Sequence, residues 1–192
     1  MAASFALMCL ALAGMLALAG CGTAQTGGTS SETTATVGAN MAGPAQKVVI
    51  SQATVDARPQ PWALTTPESA VRSYLDWISY AYRIATSDVA TPTMGADEGV
   101  RVDSYIQYNL EQSRLIDQTL GSITFGTASK TATATVLPAT EKWSYRYVSI
   151  STADKTLSGP FTASYDTTYT LTKTAKGWIV QSVAAKAVGT VK

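Results

Sequence analysis

The chain has 192 residues, with 14 Lys and Arg against 13 Asp and Glu, no histidine and two cysteines. So even a balance, with no cluster of either sign, lacks the basic footprint that nucleic acid demands. Missing imidazoles and scarce thiolates argue against zinc and most transition metals, which use those ligands, and no cofactor is expected.

The first segment, Phe5 to Ala19, is uncharged and built mainly from Ala, Leu and Met. Its length of about 15 residues falls short of the roughly 20 that span a bilayer and fits the apolar core of a secretory signal peptide. The four residues Leu18, Ala19, Gly20 and Cys21 then resemble the lipobox of bacterial lipoproteins. That resemblance implies diacylglyceryl transfer to the Cys21 sulfur, cleavage between Gly20 and Cys21, and an acylated, membrane-anchored protein on the extracytoplasmic face. Thiolate is a strong nucleophile near neutral pH, and small residues before it admit an extended backbone to a peptidase cleft. The opening "MAAS" departs from the pattern in having no Lys or Arg. With residues 1–20 removed, Cys9 goes too, and the remaining thiol has no partner for an internal disulfide.

Residues 21–47 are expected to form a tether. From Gly22 to Ala45 the chain is mainly Gly, Thr, Ser and Ala, with a single charge, Glu32, and no aromatic residue, too little apolar surface to offset the entropy of ordering. About 25 such residues span on the order of 25–30 Å. Every Trp and Tyr lies at or beyond Trp62, so residues 48–192 are read as one domain, of ordinary size for a single core.

Two helices lead it. "TTPESAVRSYLDWISYAYRIATSD" opens on Thr65 or Thr66, Pro67 and Glu68, a helix-start pattern. Val71, Tyr74, Leu75, Ile78, Ala81, Tyr82 and Ala85 recur at three-to-four spacing as an apolar stripe, which Trp77, Tyr80 and Ile84 widen toward a second face. The second helix is expected in "ADEGVRVDSYIQYNLEQSRLIDQTLGS", with Val102, Tyr105, Ile106, Asn109, Leu110, Ser113, Ile116 and Leu120 on one stripe and Gly121 as its stop.

Beyond Gly121 the period falls to two. "TATATV", "KWSYRYVSIS", "FTASYDTTYTLT" and "GWIVQSVAAK" read as antiparallel strands. A hairpin centred near Thr156 sets Trp143 opposite Tyr169, Tyr147 opposite Tyr165 and Ser149 opposite Ala163, with the aromatics on one face and an Arg146–Asp166 pair on the other. Helices followed by a meander give an α+β fold, two helices packed on a curved antiparallel sheet of four or more strands. This arrangement resembles the nuclear-transport-factor-like (cystatin-like) roll. The strings "TPESAVRSYLDWISYAYRIATSDVATPTM", "GVRVDSYI", "WSYRYVSIS" and "ASYDTTYTL" further resemble actinobacterial cell-envelope lipoproteins of uncharacterised function. The resemblance implies fold and location and brings no catalytic residue.

Rolls of this kind include ketosteroid isomerases and polyketide cyclases, which need an inward acid or base. Here Asp76 falls on the polar face of the first helix, Asp166 alternates out of phase with Tyr165 and Tyr169, and Asp103 sits one residue off the stripe of the second helix. No titratable pair is therefore expected inside the cone, with Asp103 the residue most able to overturn that. "GADEG" offers too few ligands for calcium. The aromatic set of Tyr74, Trp77, Tyr105, Trp143, Tyr145, Tyr147, Tyr165 and Tyr169 is either filled core or the wall of a pocket. The resulting expectation is a non-catalytic binding or interaction module, with an isomerase-like or cyclase-like enzyme as the alternative. Its partners would be the membrane, through Cys21, and an envelope protein or a small apolar ligand, with a homodimer through the sheet as a further arrangement.

Overall fold

The computed structural model describes residues 47–188; the expected signal peptide, the Gly20–Cys21 cleavage site and the tether up to residue 46 lie outside the described residues. A short helix α1 (Gln52–Asp56) precedes α2 (Pro67–Ile84), a 3-10 turn (Asp88–Thr93) and α3 (Ala96–Glu111). Strands β1 (Arg114–Phe125), β2 (Ser129–Lys130), β3 (Thr135–Ser149), β4 (Thr156–Thr174) and β5 (Gly177–Ala187) follow. The sheet order is β1-β3-β4-β5, all antiparallel, with β2 beside β3. Both α2 and α3 pack on β1 and β5, the two ends of that order, so the sheet curls around them. No helix among the described residues is long and apolar enough to cross a membrane.

Local chemistry starts α2 where the sequence placed it. Thr66 and Ser69 form a reciprocal capping box, with Pro67 in the first turn and Glu68 against the positive end of the helix dipole. Its widened apolar stripe is used on two sides. Val71, Tyr74, Leu75, Ile78 and Ala81 join the main core, while residues 47–64 strap the far side. There Trp77 Nε1 donates to the Gln60 carbonyl at 3.2 Å, and the Ala63 N–H donates to Ser73 Oγ at 2.9 Å.

The second helix is shorter than its stripe suggested. It ends at Glu111, Ser113 turns the chain in a left-handed conformation (φ 55°), and β1 begins at Arg114. Ile116 and Leu120 are four apart, a spacing that suits a helical face and equally a strand face of period two, and in β1 they face inward with Gln118, which donates to Ser79 of α2 at 3.0 Å. Gly121, expected to stop a helix, instead sits in a β-bulge between Leu120 and Ser122. A Cβ there would lie 3.3 Å from the Lys142 carbonyl oxygen. After the bulge, Ile123 and Phe125 turn toward the core.

The central hairpin is also displaced from its expected register. Trp143 pairs with Ala163, Tyr145 with Phe161 and Tyr147 with Ser158, while Tyr165 lies opposite Glu141 and Tyr169 opposite Leu137. Asp154, with φ 56°, makes the turn tighter and earlier than a centre at Thr156. As far as Tyr145 the slip is six residues, an even number, so the inward face is unchanged, since a period-two strand keeps its faces under such a shift; beyond Tyr145 the register shifts again, and Tyr147 meets Ser158. The expected Arg146–Asp166 pair is lost. Arg146 instead bonds Asp117 on β1 at 2.8 Å, which also pairs with Arg83 of α2 at 3.1 Å, and Asp166 accepts from Thr140.

Candidate functional site

Two carboxylates that the sequence reading did not place inside the cone, Glu98 of the GADEG segment and Glu141, point into the core. Glu98 stands four residues before Val102, hence on the buried stripe of α3, and is 2% exposed. Glu141 alternates with Leu137, Ala139 and Trp143 on the inward face of β3 and is 4% exposed. Those spacings were the signals that could have found them. The expectation that no titratable pair meets inside the cone is therefore overturned, by glutamates rather than by Asp103, which is exposed and accepts from Ser87 at 3.0 Å.

Each glutamate receives a tyrosine. Tyr74 donates its hydroxyl to Glu98, which also pairs with Arg101; Arg101 Nε lies 2.9 Å from its second oxygen. Tyr169 donates to Glu141, whose other oxygen accepts from Trp143 Nε1 at 2.7 Å. The Tyr74 and Tyr169 rings meet edge to face with centroids 6.3 Å apart, so the two carboxylates terminate one continuous buried chain. Burial, then the Glu98 charge, pushes the Tyr74 phenol well above its ordinary value; burial, then Glu141, does the same to Tyr169. Tyr82 beside them is pushed up to about 12, mainly by burial. Nearby, Thr167 Oγ1 is buried with no hydrogen-bond partner among the described residues.

A second aromatic group occupies the end of the sheet near the β3–β4 turn. Tyr105, Tyr145, Tyr147, Phe161 and Tyr165 are all half-buried. Tyr145 packs on Phe161 and Tyr147 at centroid separations of 5.3 and 5.9 Å, and the guanidinium of Arg114 lies 3.8 Å from the Tyr147 centroid. Arg114 also donates to Asn109 Oδ1 at 2.9 Å, and among the described residues it has no carboxylate partner. Burial raises the phenols of Tyr105, Tyr145 and Tyr165, and their neighbours, Tyr147 in each case, add to it.

The predicted aromatic set thus divides. Tyr74, Trp143 and Tyr169 belong to the sealed interior; Tyr105, Tyr145, Tyr147 and Tyr165 form the open end. Trp77 is also buried with the interior cluster, but on the side under the N-terminal strap, where it packs against Trp62 at 5.4 Å and Tyr80 at 6.1 Å. Groups of three or more Cys, Asp or Glu arranged to hold a metal are absent among the described residues.

No protein-family model matches the sequence, and no curated protein matches it. Among solved structures, the intermembrane space region of the chloroplast protein ARC6 is similar over 68% of this chain and 100% of its own, at 15% identity and a TM-score of 0.55. An NTF-2 like protein of unknown function from Shewanella oneidensis MR-1 aligns over 62% of this chain and 98% of its own, at 12% identity and a TM-score of 0.38. A cystatin-like domain of unknown function from Nostoc punctiforme PCC 73102 covers 66% and 81%, at 12% identity and 0.37. The likeness to the ARC6 region is one of fold: helices held by a curved antiparallel sheet.

Proposed function

We propose that this is a lipid-anchored cell-envelope protein with a nuclear-transport-factor-like roll, in which the domain is a non-catalytic binding module and the open aromatic end receives a small apolar ligand carrying an anionic group. The observation that carries the reading is the contrast at Arg114: a guanidinium stacked on Tyr147 with no carboxylate partner among the described residues, beside half-exposed rings. Flat apolar walls with one or two convergent polar groups suit such ligands, and guanidinium matches a carboxylate in two-point geometry. Anchoring is supported by the lipobox-like Leu18–Cys21, and Cys21→Ala is expected to abolish metabolic fatty-acid labelling. For the binding role, a fluorescent long-chain fatty acid is the probe. Saturable binding by the full chain, weakened roughly tenfold or more by Arg114→Ala through loss of a charged hydrogen bond, is expected; binding indifferent to Arg114 overturns it.

The isomerase-like reading draws support from the Tyr74–Glu98 and Tyr169–Glu141 pairs and from the unpartnered Thr167 hydroxyl. Against it, both glutamates are nearly inaccessible and have protein donors on both oxygens. Proton abstraction from an enolisable steroid ketone, lost in Glu141→Gln, would reverse the preference.

A further inference from the structure

The chain enters the domain beside the β3–β4 turn. Val49 N–H donates to the Ile150 carbonyl at 2.7 Å, Thr54 Oγ1 donates to Asp154 at 3.2 Å, and Val48 packs with Leu115, Val148 and Ile150. The C-terminal end of α3 arrives at the same place, because Arg114 lies opposite Ser149. Apolar side chains are exposed around this entry: Val49 and Ile50 at 37% and Leu157 at 49%. Cations stand among them. Lys47 and Lys155 are exposed, Arg114 has no carboxylate partner among the described residues, and Arg83 and Arg146 share the single Asp117, with Asp56 and Asp154 as the opposing acids.

We infer that this end of the domain is a membrane-docking surface whose occupant is the lipid bilayer. The inference rests on the anchoring reading above. Residues 22–46 separate Cys21 from Lys47, so Lys47 is the first described residue along the chain from the anchor. Lys47 and its surroundings are consequently the part of the domain held nearest the lipid. At the high effective concentration a tether imposes, weak contacts are enough to orient a domain. Val49, Ile50 and Leu157 supply apolar groups for the headgroup boundary, and the lysines complement an anionic leaflet. The aromatic end then opens toward the lipid rather than away from it.

The test uses the lipidated full chain in vesicles of phosphatidylethanolamine and phosphatidylglycerol. Cys9 leaves with the signal peptide and Cys21 is acylated, so Leu157→Cys, Ile50→Cys and Val100→Cys each provide one free thiol for an environment-sensitive fluorophore. Probes at positions 157 and 50 are expected to shift to shorter wavelength and to be quenched by brominated acyl chains. A probe at Val100, 67% exposed on the first half of α3, is expected to stay water-like and unquenched. Water-like spectra at both 157 and 50 on protein that carries the fatty-acid label overturn the docking surface alone; quenching equal at all three positions overturns it as well. Absence of label on wild-type Cys21 sinks the anchoring reading, and this one with it.

Discussion

The interior and the open end of this domain are both built from aromatic side chains gathered between the helices and the inner face of the sheet, yet they behave as different materials. In the interior, Tyr74, Tyr169 and Trp143 each donate to a buried glutamate, so every polar atom of those rings has an acceptor inside the protein. At the open end, rings of Tyr145, Tyr147 and Phe161 stack on one another and on Arg114, half in solvent. Residue type does not separate the two groups. What separates them is whether the fold supplies a partner before water does: a buried unpaired polar group is costly, so the polar atoms of the interior rings are paired, with Thr167 Oγ1 the exception among the described residues, whereas the rim can leave bonding capacity for something else.

That comparison is broken most directly by truncation. Trp143→Ala should cost about 3–5 kcal/mol in a urea melt, because it empties a core site and strips Glu141 of a donor. Tyr145→Ala, at the half-exposed end, should cost no more than about 2 kcal/mol. Equal losses would mean that the two regions are one core.

A smaller effect separates the phenols. Tyr169→Phe leaves Glu141 with one donor and should cost about 1–3 kcal/mol near neutral pH. The same variant reports through alkali. Unfolded tyrosines ionise near about pH 10, while Tyr74 and Tyr169 hold their protons well above that when folded, through burial and then the adjacent glutamate charge. The folded state therefore binds more protons than the unfolded state in that range. Stability is fully present below about pH 10 and falls as pH rises beyond it. Denaturant midpoints measured across that range should fall less steeply in Tyr169→Phe; an unchanged slope rules the mechanism out.

The smallest effect sharpens the register. Arg146 is 40% exposed in its side chain, and its pairing with Asp117 should contribute about 0–1 kcal/mol. A double-mutant cycle should nevertheless find coupling between Arg146 and Asp117 and none between Arg146 and Asp166. Coupling to Asp166 would restore the register centred on Thr156.

The limits of legibility fall at particular residues. The start of α2 was readable because Thr66, Pro67, Glu68 and Ser69 act within a single turn. The end of α3 was not: left-handed stops at Ala85, Ser113 and Asp154 occupy non-glycine residues, the reverse of the usual glycine signal. Glu98 was hidden by its type, since a charge at the head of an apolar stripe ordinarily marks the stripe's boundary, and Glu141 by a strand reading that began at Lys142, just past it, whereas β3 begins at Thr135.

By itself the sequence determined that two long helices precede a set of antiparallel strands, the capping of α2, and the shared phase of the aromatics on β3 and β4, because these depend on periodicity and on contacts within a few positions. Tertiary structure decided the strand register, the bulge at Gly121, the conversion of the supposed helix end into β1, and the pairing of Tyr74 with Glu98 and of Tyr169 with Glu141. Those depend on partners 24 and 28 residues apart for the tyrosines, brought together only when the sheet curls. A carboxylate at such a position is tolerable only because the fold delivers its donors to the same point, and no local pattern in the chain encodes that meeting.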